Sequence, residues 1–156
     1  MKTFLVLSDS HGRRGVLDGI LPLIAENDYI VHLGDGSADM KGVFSEFPQK
    51  TYLCRGNCDF AYGEEELVIQ AEGRRIFCCH GHRYGVKSGI SRLVARAKQL
   101  DCDIALYGHT HRAAAEEIEG VLCINPGAAG AYAEGSYCYL VLYNGKATHT
   151  FVPIRK

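Results

Sequence analysis

Residues 3–12 read TFLVLSDSHG, and this stretch indicates how the whole chain is organised. The run FLVL is typical of a short buried strand, and Asp9 and His11 follow it directly. The same arrangement recurs downstream, because YIVHLGD brings an apolar run to Asp35 and TYLCRGN brings another to Asn57. Continuous apolar runs of this kind are typical of strands in parallel sheets that are covered on both faces.

Helical patterns separate these runs. GVLDGILPLIAE (15–26) predicts a helix in which Pro22 either lies near a kink or shifts the true start, and a shorter helix is expected around MKGVFSEF (40–47). Strands that alternate with helices in this order predict right-handed crossovers and a mainly parallel sheet.

The second half of the chain contains more predicted strand. Three hairpins are expected, with turns at Glu72–Gly73, Glu119–Gly120 and Asn144–Gly145. The stretch SGISRLVARAKQL (88–100) has apolar residues at helical spacing, and DIALYG (103–108) predicts one more buried strand. We therefore expect one domain over residues 1–156, built as two β-sheets with helices on the outside.

Composition excludes several classes of protein. The chain has 156 residues, 47% of them apolar, and a formal net charge of -1, which argues against disorder and against a general attraction to nucleic acid. No apolar stretch approaches the roughly 20 residues that a membrane span needs, and the first residues lack a signal-peptide cleavage pattern. The seven cysteines include no CxxC pair. We interpret them as buried thiols and predict a cytoplasmic location.

The chemistry is predicted at the ends of the strands. Ligand sites in open α/β sheets form beyond the carboxyl ends of strands, so the polar residues found there are expected to converge. Carboxylate, amide oxygen and imidazole suit first-row metals such as Mn, Fe, Zn or Ni, and one bridging carboxylate would let seven ligands hold two ions. These residues are Asp9, His11, Asp35, Asn57, His80, His109 and His111.

Each short motif also has an ordinary interpretation when it is taken singly. SDSHG fits a strand-to-helix turn with a capping side chain, and RGNCD fits an Asx turn. GHTH is harder to explain in that way, because two histidines at i and i+2 in a glycine loop are rarely core residues. The recurrence of such motifs at five strand ends favours a shared site over five unrelated turns.

The ordered motifs SDSHG, GDG, GNCD, HGH and GHTH resemble the calcineurin-like metallophosphoesterase superfamily, and NPGA at 125–128 is similar to the NPGS of its small single-domain phosphodiesterases. The resemblance implies a four-layer α/β/β/α sandwich with two mixed β-sheets flanked by helices. It also implies how the metal ligands divide. Asp9, His11 and His111 would hold one metal, Asn57, His80 and His109 the other, and Asp35 would bridge both.

The resemblance further implies phosphoester hydrolysis, in which a hydroxide that bridges the two metals attacks phosphorus in line with the leaving group. Many members have histidine where this chain has Cys58, which we predict to contact substrate, so the acid that protonates the leaving group is open. Arg55 is either a phosphate ligand or half of a surface ion pair. His82 is either that acid or a loop histidine. Asp59 is predicted to orient His11.

These observations predict a phosphodiesterase that acts on small or nucleotide-like diesters and uses two divalent ions, Mn first, with Ni, Zn, Fe or Mg as alternatives. A phosphomonoesterase is the second hypothesis. The third is a non-catalytic scaffold, similar to the retromer subunit of this fold, although a scaffold would be free to lose ligands and this chain keeps all seven.

Aromatic residues give two further predictions about binding. The tyrosines at 62, 84 and 132 follow the motifs and would either stack on a base or aryl group of the phosphoester substrate or serve in packing. The apolar face of the last hairpin could pair two copies of the chain as a homodimer, through Tyr137, Tyr139 and Val141.

Overall fold

The computed structural model describes residues 1–131 and 134–154. Ten strands in this part of the chain form two five-stranded sheets. In chain order the strands are β1 (Lys2–Leu7), β2 (Tyr29–His32), β3 (Thr51–Leu53), β4 (Glu66–Ala71), β5 (Arg74–Cys79), β6 (Ile104–Leu106), β7 (Ala113–Ile118), β8 (Val121–Pro126), β9 (Gly135–Tyr143) and β10 (Lys146–Ile154).

Both sheets are mixed, as predicted. The first has the order β10-β9-β1-β2-β3, with β1, β2 and β3 parallel and Phe4 in register with Tyr29. The second has the order β4-β5-β6-β8-β7, with β5, β6 and β8 parallel. The remaining strands belong to the three predicted hairpins, β4–β5, β7–β8 and β9–β10.

The hairpin turns follow from their residues. In each turn the first residue and the glycine after it both have positive φ, as at Asn144 (50°) and Gly145 (75°). Two-residue hairpins favour this geometry because its twist matches that of the strands, and glycine adopts it without a Cβ clash.

Four layers result from three apolar clusters. The central cluster joins the facing sides of the two sheets, with Phe4 and Val31 from the first and Ile76 and Leu106 from the second. The outer side of the first sheet packs against α1 (Arg14–Asp18), α2 (Leu21–Glu26) and α3 (Lys41–Glu46), and the outer side of the second packs against α4 (Ser91–Gln99). The α/β/β/α sandwich is therefore confirmed.

The helix predicted over residues 15–26 is two helices, with a break at Gly19 and Ile20. Pro22 is the second residue of α2. Its ring would clash with the carbonyl of Asp18 in a continuous helix, and it has no N–H to donate, so the proline begins a helix and cannot extend one. The helix expected around residue 40 begins instead as a 3₁₀ turn, Ser37–Met40, and continues as α3.

Six of the seven cysteines are buried, and none forms a disulfide. Cys58 is the exposed one. The prediction of buried thiols is therefore confirmed for six cysteines and wrong for Cys58. No helix among the described residues is long and apolar enough to span a membrane.

The face proposed for a homodimer is partly covered by the chain itself. Tyr137 is only 6% exposed, and Tyr137 and Tyr139 both pack in the outer cluster that includes residues of α1 and α2. A homodimer through this hairpin stays a prediction.

Candidate metal centre

The seven predicted ligands lie in the loops after five strands. Asp9 and His11 follow β1, Asp35 follows β2, and Asn57 follows β3. The other three ligands follow strands of the second sheet, His80 after β5 and His109 and His111 after β6. Because the parallel strands of each sheet present the same end, these loops meet at one edge of the sandwich.

Backbone conformation marks the same residues. Within residues 1–131 and 134–154, nine residues other than glycine have positive φ. Five of them are predicted ligands: Asp9 (55°), His11 (48°), Asp35 (57°), His109 (72°) and His111 (65°). The left-handed region is unfavourable for residues with a Cβ, and such strain persists where function requires it. The concentration at one site indicates loops shaped for ligation.

Three side chains form the first group, Asp9, His11 and His111, whose ligand atoms lie within 4.8 Å of one another. The Nε2 atoms of the two histidines are 3.3 Å apart. Oδ1 of Asp9 lies 3.2 Å from Nε2 of His111 and 3.5 Å from Nε2 of His11. All three ligand atoms therefore point at a common volume.

The second group is Asp35, His80 and His109, which meets the same 4.8 Å limit. Nε2 of His80 lies 3.3 Å from Oδ2 of Asp35 and 3.1 Å from Nδ1 of His109. Burial opposes the ionised carboxylate, but the neighbouring His80 ring and the hydrogen bond from the amide of Cys58 outweigh it and lower the pKa of Asp35. Burial lowers the pKa of His109 and favours the neutral imidazole that a metal requires.

Asp35 lies between the two groups. Its Oδ2 is 3.3 Å from Nε2 of His80 and 4.0 Å from Nε2 of His11. Its other oxygen, Oδ1, accepts a hydrogen bond of 2.8 Å from the amide of Cys58. One oxygen is thus fixed by the backbone while the other faces both groups, which is the placement that a bridging carboxylate needs.

The donor set fits divalent metal ions. Oδ1 of Asp9 is buried and makes no hydrogen bond within the described residues, whereas Oδ2 accepts from Ser8 Oγ and from the amide of His109. An unpaired buried carboxylate oxygen is costly unless a cation satisfies it. His80 Nδ1 donates to the carbonyl of Leu33 at 2.8 Å, which leaves the Nε2 lone pair free to ligate.

Asn57 and Cys58 occupy the loop after β3. Asn57 is exposed, and its side-chain amide contacts Cys58 Sγ at 3.6 Å. Within the described chain no hydrogen bond joins the Asn57 side chain to either group, so its ligand role stays a prediction. Cys58 Sγ lies within 4.8 Å of ligand atoms of His11 and Asp35. Desolvation and the charge of Asp35 raise the pKa of Cys58.

Arg55 and His82 lie beside the centre. The guanidinium of Arg55 lies 3.3 Å from a carboxylate oxygen of Glu65, and the other oxygen of Glu65 pairs with Arg83. This contact agrees with the interpretation of Arg55 as half of an ion pair. The ring of His82 lies 5.4 Å from that of His80 and 6.2 Å from that of His109. Nδ1 of His82 is buried and has no hydrogen-bond partner in the described part of the chain.

The prediction that Asp59 orients His11 is wrong. The Asp59 carboxylate accepts hydrogen bonds from the backbone amides of Asp35 and Gly56 at 2.8 Å, Gly36 at 2.9 Å and Ser37 at 3.2 Å. Burial acts to raise its pKa, but these hydrogen bonds outweigh burial and lower the pKa. Asp59 therefore fixes the loop of Asp35 against the loop of Asn57.

A second chain of polar contacts supports the loop of Asp9 and His11, and a histidine within a predicted strand was its one signal in the sequence. The amide of Gly34 donates to Nδ1 of His32 at 3.1 Å, so the neutral ring carries its proton on Nε2, 2.9 Å from Ser10 Oγ. Ser10 donates in turn to Asp39, which also accepts from the amide of Gly12. Burial lowers the pKa of His32 to about 4, which keeps the ring neutral.

Asn125, within the NPGA segment, supports the third loop. Its amide donates to the carbonyl of Gly108 at 3.1 Å and to Thr110 Oγ1 at 2.9 Å, and its oxygen accepts from the amide of Gly127 at 2.9 Å. These hydrogen bonds therefore fix the loop that carries His109 and His111. The NPG motif was the signal for this role.

The tyrosines predicted either to stack on substrate or to pack have different surroundings. Tyr84 donates to Glu66 and packs beside Phe77, so it serves in packing. Tyr62 is 40% exposed and lines a cavity of about 380 Å³ between β3 and β4. Tyr132 lies outside the described residues. Sequence reasoning missed Phe60, which is 99% exposed in the loop of Asn57.

Comparison with known proteins agrees with this geometry. Residues 1–146 match the sequence profile of the calcineurin-like phosphoesterase superfamily domain, so the chain belongs to that superfamily. A probable metallophosphoesterase of Bacillus subtilis, YsnB, is 36% identical over 152 residues, which cover 94% of this chain and 88% of YsnB.

Two further similarities concern a named phosphodiesterase and a solved structure. The phosphodiesterase YfcE of Escherichia coli K12 is 28% identical, covering 81% of this chain and 79% of YfcE. The structure of Vps29 from Entamoeba histolytica complexed with zinc superposes with a TM-score of 0.74 at 21% identity, covering 98% of this chain and 99% of that one. This structural similarity concerns the fold.

Proposed function

We propose that this chain is a metal-dependent phosphodiesterase with a centre for two divalent ions. The observation that carries the proposal is the pair of three-residue ligand groups with Asp35 facing both. Asp9, His11 and His111 would hold one ion, and His80, His109 and Asn57 the other. The mixture of carboxylate, imidazole and amide favours Mn, with Ni, Zn, Fe and Mg as alternatives.

Divalent ions in these positions would make hydroxide available near neutral pH and offset charge on the phosphoryl oxygens. The protein's own residues supply the remaining functions. Asp35 and Asp9 fix the geometry, because one oxygen of each is held by a backbone amide. We assign protonation of the leaving group to His82, whose Nδ1 has no partner among the described residues and whose ring lies beside those of His80 and His109.

The assignment to diesters rests on the residues around the centre. Phosphomonoesters carry a second negative charge that a cationic or imidazolium neighbour would neutralise. Here a cysteine, Cys58, lies beside the centre and brings no positive charge, and Arg55 already pairs with Glu65. A singly charged diester needs less compensation. The name of the relative YfcE, a phosphodiesterase, supports the same choice.

Hydrolysis by the wild-type protein and by Asp35→Asn tests this proposal. We expect the wild type, supplied with Mn, to hydrolyse bis-p-nitrophenyl phosphate faster than p-nitrophenyl phosphate. Asp35→Asn should lose at least about 100-fold in kcat/KM, because a bridging charge is removed from the centre. Circular dichroism should show an intact fold. Undiminished diester hydrolysis by the variant would refute the ligand assignment.

A scaffold without catalysis remains the competing function. Full metal binding without turnover of either ester would support the scaffold. Faster turnover of the monoester would favour the phosphomonoesterase hypothesis.

A further inference from the structure

A cavity of about 480 Å³ lies against the loop that carries two of the predicted ligands. Thr110, which lines the cavity, lies between His109 and His111 in the chain. Lys87, which also lines it, is close enough to His109 to act on its charge. The cavity therefore adjoins the metal centre, and its volume is within the range of small-molecule sites.

The charges in this cavity favour an anionic ligand. Its lining includes the cations Lys87 and Arg112 and one acid, Glu116. Across residues 1–131 and 134–154, neither cation has a carboxylate within ion-pair distance. Arg55 and Arg83, in contrast, both pair with Glu65. The cavity thus holds a net positive charge and two cations that are available to a ligand.

Two hydroxyl groups complete the lining. Tyr107 lines the cavity, and its hydroxyl makes no hydrogen bond to any residue that the structure describes. Thr110 Oγ1 accepts from the Asn125 amide at 2.9 Å and from the backbone amide of Arg112 at 3.2 Å. These bonds fix the backbone at Arg112, so less conformational entropy is lost when a ligand binds there.

We propose that this cavity is a subsite for a second phosphate of the substrate, so that the chain selects nucleotide-like phosphodiesters that carry an additional phosphomonoester group. The inference rests on the proposed function, because the metal centre must hold the diester that is cleaved. Lys87 and Arg112 would pair with the second phosphate, and the Tyr107 hydroxyl would donate to one of its oxygens.

Two chromogenic esters that differ only in this group provide the test. Thymidine 5′-(p-nitrophenyl phosphate) and its 3′-phosphorylated form share the leaving group. We expect the wild type to favour the 3′-phosphorylated ester by about 10- to 100-fold in kcat/KM, the range for charge-assisted contacts. The double variant Lys87→Met/Arg112→Met should bring that ratio close to one. Lys146→Met, an exposed lysine at the start of β10, should keep the wild-type ratio.

Binding separates this inference from the proposed function. Calorimetry with thymidine 3′,5′-bisphosphate and thymidine 5′-monophosphate should show the same preference, and the same loss in the double variant, even if neither ester is hydrolysed. Discrimination in binding without hydrolysis would support the subsite and refute the phosphodiesterase. Hydrolysis of both esters with equal kcat/KM, or a preference that survives in the double variant, would refute the subsite and leave the enzyme intact.

Discussion

Replacing Asp59 with asparagine tests the support beneath the metal centre. The carboxylate accepts four backbone amides, with Oδ2 serving Asp35 and Gly56 and Oδ1 serving Gly36 and Ser37. In asparagine one oxygen becomes an NH₂ group, which donates and cannot accept. Whichever way the side chain turns, two backbone N–H groups lose their acceptor.

The magnitude follows from these two amides. A buried donor left without a partner costs about 1–3 kcal/mol, so Asp59→Asn should lower the free energy of unfolding by about 2–6 kcal/mol. Both pairs include an amide of the loop that carries Asp35, so the Asp35 side chain should shift whichever way the asparagine turns. We therefore expect metal affinity to fall by about 10- to 100-fold, as it does when a residue that supports a ligand is removed.

Urea unfolding and calorimetric titration with Mn measure the two effects. Asp18→Asn provides the matched control, because Asp18 is an exposed acid on α1. It should leave the urea midpoint and the metal affinity unchanged. If Asp59→Asn unfolds at the wild-type midpoint and binds Mn with wild-type affinity, the role assigned to Asp59 is wrong.

Two other substitutions test the centre and its chemistry. A Cβ at Gly56 would lie 2.2 Å from Oδ1 of Asp35, so Gly56→Ala should weaken Mn binding at least about tenfold and destabilise the fold by about 1–3 kcal/mol. Gly42→Ala, on α3 with open space around it, should stabilise by about 0.5–1 kcal/mol, and equal effects of the two changes would contradict the steric argument. His82→Gln should leave Mn affinity unchanged and reduce kcat for diphenyl phosphate about 10²-fold or more. The loss should be smaller for bis-p-nitrophenyl phosphate, because its leaving group needs less protonation. Equal losses for both esters would show that His82 is not the acid.

The fold could be predicted where the sequence carries a local signal. Apolar runs that end in polar residues predicted the strands and their common edge. The Glu-Gly and Asn-Gly pairs at the turns predicted the hairpins. Pro22 was recognised as a disturbance, but choosing between a kink and a new start depends on packing of α2 against the first sheet. Such packing is not encoded in a short window of sequence.

The supporting residues were harder to predict. His32, Ser10 and Asp39 are joined by contacts across 22 and 29 positions of the chain, and no spacing rule connects them. Asp59 follows a recognisable GNC motif, so its importance was visible, but its partners are backbone amides of another loop. Ligand identity was therefore predictable from residue type, whereas the hydrogen bonds that hold the ligands required the structure.

The central claim is that one site holds two metal ions with Asp35 between them. Anomalous scattering at the Mn edge, from crystals grown with MnCl₂, measures this directly. We predict two peaks roughly 3.5–4 Å apart, with Asp35 contacting both. The ligands of the first should be Asp9, His11 and His111, and those of the second Asn57, His80 and His109. A single peak, or peaks away from these side chains, would contradict the account.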